Sequence, residues 1–160
     1  MSIEKVRAYL EPLGYADKIL EFDVSSATVA LAAEALHCEG ARIAKTLSFR
    51  VDDTCVLIVA AGDAKVDNAR YKAQFHTKAK MLAFEEVEEL IGHAVGGVCP
   101  FGVKDGVQVY LDESLKRFTT VFPACGSANS AIELTISELE KLSGFISWVD
   151  VCKAWRPDEI

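Results

Sequence analysis

IAKTLSFRV (residues 43–51), DDT (52–54) and CVLIVAA (55–61) follow one another without a break. Two apolar runs flank residues that favour a tight reversal, so the stretch reads as a β-hairpin with a short loop. Gly62-Asp63 ends the second strand. Lys45 is the anomaly, a cation among apolar neighbours at the head of the first strand.

Upstream, Ile3, Val6, Tyr9 and Leu10 recur at helical spacing, so residues 2–10 form a helix that Pro12-Leu13-Gly14 ends. A short strand is expected at 19–22. An alanine-rich helix, TVALAAEALH, follows, capped by Ser25 or Ser26 and stopping near Gly40. Downstream, the pattern gives a polar helix over 67–75, a short strand at 79–82, and the helix EEVEELIG, whose early glutamates suit its N-terminal dipole. Residues 93–102 form a glycine-rich loop. Strands are expected at 107–111, 118–122, 131–134 and 145–149, with one helical turn at 112–116. Thr135 and Glu138 make a T-x-x-E box that opens the helix ISELEKLS. No repeat, low-complexity tract or linker interrupts the chain. Residues 1–160 therefore read as one α+β domain, a mixed and mostly antiparallel sheet curled toward a barrel and surrounded by helices.

A chain of 160 residues can bury roughly 70% of its unfolded surface, enough for a real core. Apolar residues make up 51% of it, yet no run approaches the ~20 needed to cross a bilayer. MSIEKVRAYLEPLG also lacks the features of a secretory leader, so the expectation is a soluble, untargeted, cytoplasmic protein. Cysteines at 38, 55, 99, 125 and 152 are odd in number and contain no C-x-x-C pair, which argues for reduced thiols and against a zinc or disulfide framework. Cys38, Cys55 and Cys152 lie in or beside apolar stretches, as small core residues do. No metal or cofactor is expected. The net charge of −7 argues against a general nucleic-acid binder, whose affinity rests on a basic field. No DNA or membrane partner is expected, and any RNA contact should be confined to a short end held by a few local cations and backbone N–H groups.

Three segments carry chemistry. Lys45 is either a lysine snorkelling from a strand end or a cationic anchor for a phosphate or ester carbonyl, with the Thr46 hydroxyl beside it. Gly96-Gly97-Val98-Cys99-Pro100-Phe101-Gly102 is a tight turn by composition, and such turns can also aim backbone N–H groups at an oxyanion. Cys125-Gly126-Ser127-Ala128-Asn129-Ser130 is a second small-residue turn. No nucleophile elbow, phosphate loop or metalloprotease motif occurs. His37, His76 and His93 are scattered, and Asp63 and Asp67 read as turn and helix-start residues that could also orient a substrate amine.

K-T-L at 45–47, G-G-V-C-P-F-G at 96–102 and A-C-G-S at 124–127 followed by I-E-L-T at 132–135 resemble, in that order, the YbaK and prolyl-tRNA-synthetase-associated domain family, over nearly the whole chain. The resemblance implies a YbaK-like fold and a trans-editing aminoacyl-tRNA deacylase. It implies that Lys45 matches the functional lysine. Gly96, Gly97 and Val98 match the catalytic part of a G-x-x-x-P loop, and Cys99 and Pro100 its substrate-binding part. Phe22 falls near an aromatic of the family pocket, and Gly126, with Ser127 and Asn129, belongs to its second glycine turn. Two departures bear on specificity: Cys99 is often serine in relatives, and Ala124 stands where cysteine-clearing members carry serine.

The activity so implied is hydrolysis of the ester of mischarged tRNA, foremost tRNA(Pro) carrying cysteine, alanine or a similar small amino acid. The partners are the aminoacyl-tRNA 3′ end and a prolyl-tRNA synthetase. The nucleophile would be water helped by the substrate's 2′-hydroxyl, or the substrate's own thiol. Two rivals remain: a non-catalytic module that docks on a synthetase or binds aminoacyl-tRNA, and a thiol hydrolase using Cys99 as nucleophile.

Overall fold

The structure, a computed structural model, describes residues 2–156. In chain order its elements are α1 (Ser2–Leu10), β1 (Leu20–Glu21), α2 (Val29–Leu36), β2 (Ile43–Val51), β3 (Thr54–Ala61), β4 (Lys65–Val66), α3 (Asn68–Phe75) and α4 (Phe84–Ile91). Then come β5 (Gln108–Asp112), β6 (Thr120–Pro123), β7 (Ser130–Ala131), β8 (Leu134–Thr135), α5 (Ile136–Ser143), β9 (Ser147–Val149) and β10 (Cys152–Lys153).

The hairpin forms as its sequence requires. Val51 pairs with Thr54 and Ala44 with Ala61, and Asp52 takes a positive φ of 54° in the turn, a conformation aspartate tolerates. β3 becomes the centre of a six-stranded sheet ordered β8-β6-β2-β3-β5-β9. Val56 to Ala61 are all buried, because a strand covered on both faces needs a continuous apolar run. β3 and β5, β5 and β9, and β2 and β6 run parallel, while the hairpin and β6 with β8 run antiparallel. Two-stranded pairs β1/β7 and β4/β10 are also antiparallel, so four of the seven pairings are. The sheet is mixed and curled, and it stays open, with β8 and β9 as edges.

Capping follows the sequence at α5, where Thr135 Oγ1 accepts from Glu138 N at 3.1 Å and Glu138 Oε1 from Thr135 N at 2.9 Å. At α2 the cap is Thr28, whose Oγ1 accepts from Leu31 N at 3.2 Å. Ser25 is drawn off to Ala27 N and Ala128 O instead. The strand expected at 131–134 is two pieces. Ser130–Ala131 pairs with β1 and Leu134–Thr135 with β6, because the chain changes partner where Ile132 N bonds Pro123 O at 3.0 Å. The strand expected at 79–82 contracts to a single bridge, Phe49 to Met81. β4 and β10 are too short to leave a periodic signal in the sequence.

One buried polar cluster fixes the turn after β3. The carboxylate of Asp112, fully buried, accepts from the N–H groups of Ser114 and Val151, each at 3.0 Å, and Ser114 Oγ accepts from Ala61 N at 3.1 Å. Residues 62–64 are thereby held beside Lys45.

Candidate functional site

The site arises from a gap along the outer edge of β2. Parallel pairing with β6 lasts only from Ile43 to Ala44, because past Pro123 the chain turns back to bridge Ala124 with Ala131. Farther along, Leu82 N bonds Ser48 O at 3.1 Å and Arg50 N bonds Lys80 O at 2.8 Å. In an antiparallel hairpin, alternate residues turn their backbone groups toward the same edge, so Ala44, Thr46, Ser48 and Arg50 face outward. Ala44 is covered by β6 and Ser48 by the 80–82 segment. The Thr46 amide and carbonyl fall between and have no strand to pair with among the described residues.

A cleft of about 450 Å³ opens at that gap. Its walls are Ser26 to Val29 at the start of α2, Ile43 to Ser48, Met81 and Leu82, Val95, Gly96 and Val98, and Ala124 with Ser130 and Ala131. Lys45 is the only titratable side chain among the described residues that line it. Two lining hydroxyls, Ser26 Oγ and Thr46 Oγ1, are buried without a hydrogen-bond partner. Leaving such a group unmet costs about 1–3 kcal/mol, so their persistence at one cleft marks places for polar atoms of a ligand.

Lys45 is half-buried, and its Nζ donates to Gly62 O at 3.3 Å and to Ala64 O. Burial pulls its pKa below the ordinary lysine value, with the Cys152 thiol and the Asp63 carboxylate acting the other way. Asp63 is itself held bidentately by Arg117, at 2.6 and 2.9 Å, and Asp67 faces Arg70 at 3.5 Å. Among the described residues Lys45 therefore makes no ion pair, and the hydrogen bonds of its ammonium go to backbone carbonyls. Both aspartates are thus engaged by arginines.

The two glycine turns meet. A Cβ on Gly97 would lie 2.5 Å from both Gly126 C and Ser127 N, so the peptides of the two loops are pressed face to face. Gly96 and Gly126 have φ of 95° and 91°, values that only glycine adopts without strain. Gly97 gives its N–H to Ala94 O at 3.0 Å, and Gly96 and Val98 line the cleft. Gly97, Cys99 and Pro100 are buried behind that lining.

Phe22, Ser127 and Asn129 also stand behind the wall. Phe22 N donates to Asn129 O at 2.8 Å and Asn129 Nδ2 to Phe22 O at 3.0 Å, while Ser127 Oγ bonds Asn129 Oδ1 and Ser130 Oγ. Ser26 N adds a bond to Ala128 O at 2.6 Å. These contacts strap residues 22–26 onto the second glycine turn and so set Ser26 in the cleft wall. Sequence reasoning placed Ser26 only as a helix cap. The bent path of the strap, which aims its hydroxyl inward, depends on tertiary contacts with no local signature.

Cys99 has a histidine neighbour that sequence spacing concealed: its Sγ lies 3.6 Å from His93 Nε2. The pair is nonetheless no nucleophile and base. Burial pushes the Cys99 thiol up to about 12, against weaker opposing bonds from the backbone at Phe101 and Gly126. His93, fully buried with its pKa lowered chiefly by burial, donates from Nε2 to Phe101 O at 2.7 Å, so that nitrogen already carries a proton. Cys99→Ser is expected to keep more than about half of the activity, since a serine hydroxyl meets the same backbone groups, and wild-type activity should resist iodoacetamide. Loss of turnover in a well-folded serine variant, or acyl transfer to Cys99, would reverse this assignment.

Known proteins resemble this chain in sequence and in fold. The sequence profile of the aminoacyl-tRNA editing domain matches residues 24–142. Over 157 residues the chain is 54% identical to the uncharacterised protein YwhH of Bacillus subtilis (strain 168), a match spanning 98% of this chain and 100% of that one. A stretch of 95 residues is 30% identical to proline–tRNA ligase of Bacillus cytotoxicus, covering 59% of this chain and 16% of the ligase, one part of a much longer enzyme. Among solved structures, a candidate trans-editing enzyme for prolyl-tRNA synthetase superposes with a TM-score of 0.84 at 30% identity, over 94% of this chain and 96% of that one. The hypothetical protein APE2540 superposes with a TM-score of 0.83 at 26% identity, over 93% and 99% of the two chains.

Proposed function

The chain belongs to the aminoacyl-tRNA editing domain family, and from that premise we propose that it is a deacylase that hydrolyses the ester joining a mischarged amino acid to the end of a tRNA. The observation that carries this reading is the cleft's one lysine, which makes no ion pair among the described residues, in a cleft also lined by two buried hydroxyls without a partner. A site with a cation and no base among its lining residues is built to stabilise negative charge rather than to move protons. Lys45 would face the ester carbonyl or the adjoining phosphate as charge develops, and the Gly96 and Val98 amides would share the oxyanion. The nucleophile is then a water directed by the substrate's own 2′-hydroxyl, or the substrate's thiol when cysteine is attached.

The amino acid removed would be small, cysteine, alanine or a similar residue, held against an apolar lining that includes Val98, Ala124 and Ala131. The tRNA is tRNA(Pro), a reading supported by the likeness to part of a proline–tRNA ligase. A second, smaller sieve of this kind is needed because binding alone separates substrates one methylene apart by only ~10–200-fold. A panel of tRNA(Pro) charged with cysteine, alanine, serine, threonine or 2-aminobutyrate tests the proposal. Release of at least one small amino acid well above the spontaneous rate is expected. Tight binding of every charged species with no release would instead make the protein a binding module.

A further inference from the structure

The cleft accounts for the acyl group and leaves open how an acidic protein holds the polyanion attached to it. Between Asp67 and Glu85 the sequence has no carboxylate, yet it carries Arg70, Lys72, His76, Lys78 and Lys80. That concentration stands out in a chain of net charge −7. Lys72, Lys78 and Lys80 are all exposed, and Lys72 and Lys78 form no ion pair among the described residues. Together with Asn68, these two lysines line a second hollow, of about 420 Å³.

The hollow and the cleft share one piece of chain. Ala79 lines the first and Met81 the second, so their walls are two residues apart, a span of at most ~7 Å. The bond from Arg50 N to Lys80 O pins that connecting segment to β2. On the cleft's side of the segment stands Phe84, a lining residue that is 74% exposed, with Met81 at 58%. An exposed aromatic ring on the cleft and exposed lysines on the adjoining hollow, joined by residues 79–81, are the two elements of a single-strand nucleic-acid surface, a stacking platform and cations that track the backbone.

We propose that Lys72, Lys78 and Phe84 dock the unpaired 3′ end of an RNA, the lysines taking phosphates and Phe84 stacking the terminal base whose acyl group enters the cleft. This rests on the deacylase reading above. Lysine suits the task because a mobile point charge can follow a flexible phosphate chain, and two cations give only modest affinity. The acidic remainder of the surface repels the rest of the duplex, which confines contact to the end.

Lys72→Glu/Lys78→Glu and Phe84→Ala test this with two substrates, aminoacyl-tRNA and aminoacyl-adenosine, the second lacking every phosphate. The double reversal is expected to raise KM for aminoacyl-tRNA at least about tenfold at low salt and to make the salt dependence shallower by a slope of ~1.4, for two phosphates on a single strand. Its turnover of aminoacyl-adenosine and its melting temperature should match the wild type. Phe84→Ala should raise KM for both substrates by roughly tenfold, with kcat retained. An unchanged KM for aminoacyl-tRNA in the double reversal overturns the proposal, as does loss of a synthetase's binding without any change in KM, which would make the patch a protein contact. Should the wild type hydrolyse neither substrate, the deacylase reading falls by itself. The same variants are then compared by fluorescence anisotropy on an uncharged RNA hairpin with an unpaired 3′ end: wild-type binding weakened by the double reversal keeps the surface, and equal binding removes it.

Discussion

Gly97→Val is expected to lower the melting temperature by on the order of 10 °C and to abolish activity. The added Cβ would stand 2.5 Å from Gly126 C and Ser127 N and 2.7 Å from Gly126 O. All three are backbone atoms, so no side chain can swing aside. Overpacking of this kind costs at least ~3 kcal/mol when two loops must part, and each kcal/mol moves the melting point by about 2–4 °C in a domain of this size. Gly97→Ala should already show most of the loss, since the clash begins at Cβ. Gly106→Ala is the control: φ there is 89° with nothing within 4 Å of the added carbon, so only local strain of about 1 kcal/mol is added. A Gly97→Ala protein that melts within 2 °C of the wild type, against the roughly 10 °C expected, and turns over normally would mean the two loops do not meet.

The reason for that loss is not one the sequence supplies. Composition showed two glycine turns about thirty residues apart, and a glycine is open to several readings, close approach to a ligand among them. Only the fold reveals that Gly97 yields to Gly126 and gives its N–H to Ala94 O. Local signals survived folding. The hairpin at 43–61 and the Thr135–Glu138 box are where their residues put them, because a turn and a cap are decided within a few residues. Signals that depend on partner choice did not survive. The run 131–134 is apolar throughout its buried positions, yet the chain divides it between β1 and β6, and no period in the sequence records which edge is free. Cys99 shows the same limit. A thiol in a glycine-rich turn can be presented to a substrate, and its burial is settled where the second glycine turn packs on the loop, with the Gly126 backbone at the thiol. Lys45 was legible as an anomaly, and its missing counter-ion was not, since Asp63 is claimed by Arg117, which lies 54 residues farther along the chain.

Lys45→Met is expected to reduce deacylation by about 10²–10³-fold, the range found when one preorganised charge-stabilising group is removed. Methionine keeps the apolar stem against β3 and deletes only the ammonium. The fold should tolerate this, and the direction of the lysine's pKa says why. Burial lowers it, so the native state binds that proton more weakly than the unfolded chain does. Stability therefore rises with pH between the folded and unfolded values, and below the folded value the ammonium is a net cost to the native state. Removing it at neutral pH should leave the melting temperature unchanged or slightly higher, with Gly62 O and Ala64 O hydrated from the cleft. A group kept at a cost to the fold and needed for turnover is a functional one. The wild type should add to this a decline in catalysed rate, measured above the spontaneous hydrolysis of the ester, as pH rises through a pKa below the ordinary lysine value. That limb should be missing in the methionine variant. A well-folded Lys45→Met protein with near-normal turnover would remove Lys45 from the chemistry. A variant that melts far below the wild type would recast the ammonium as the clamp that holds residues 62–64 in place.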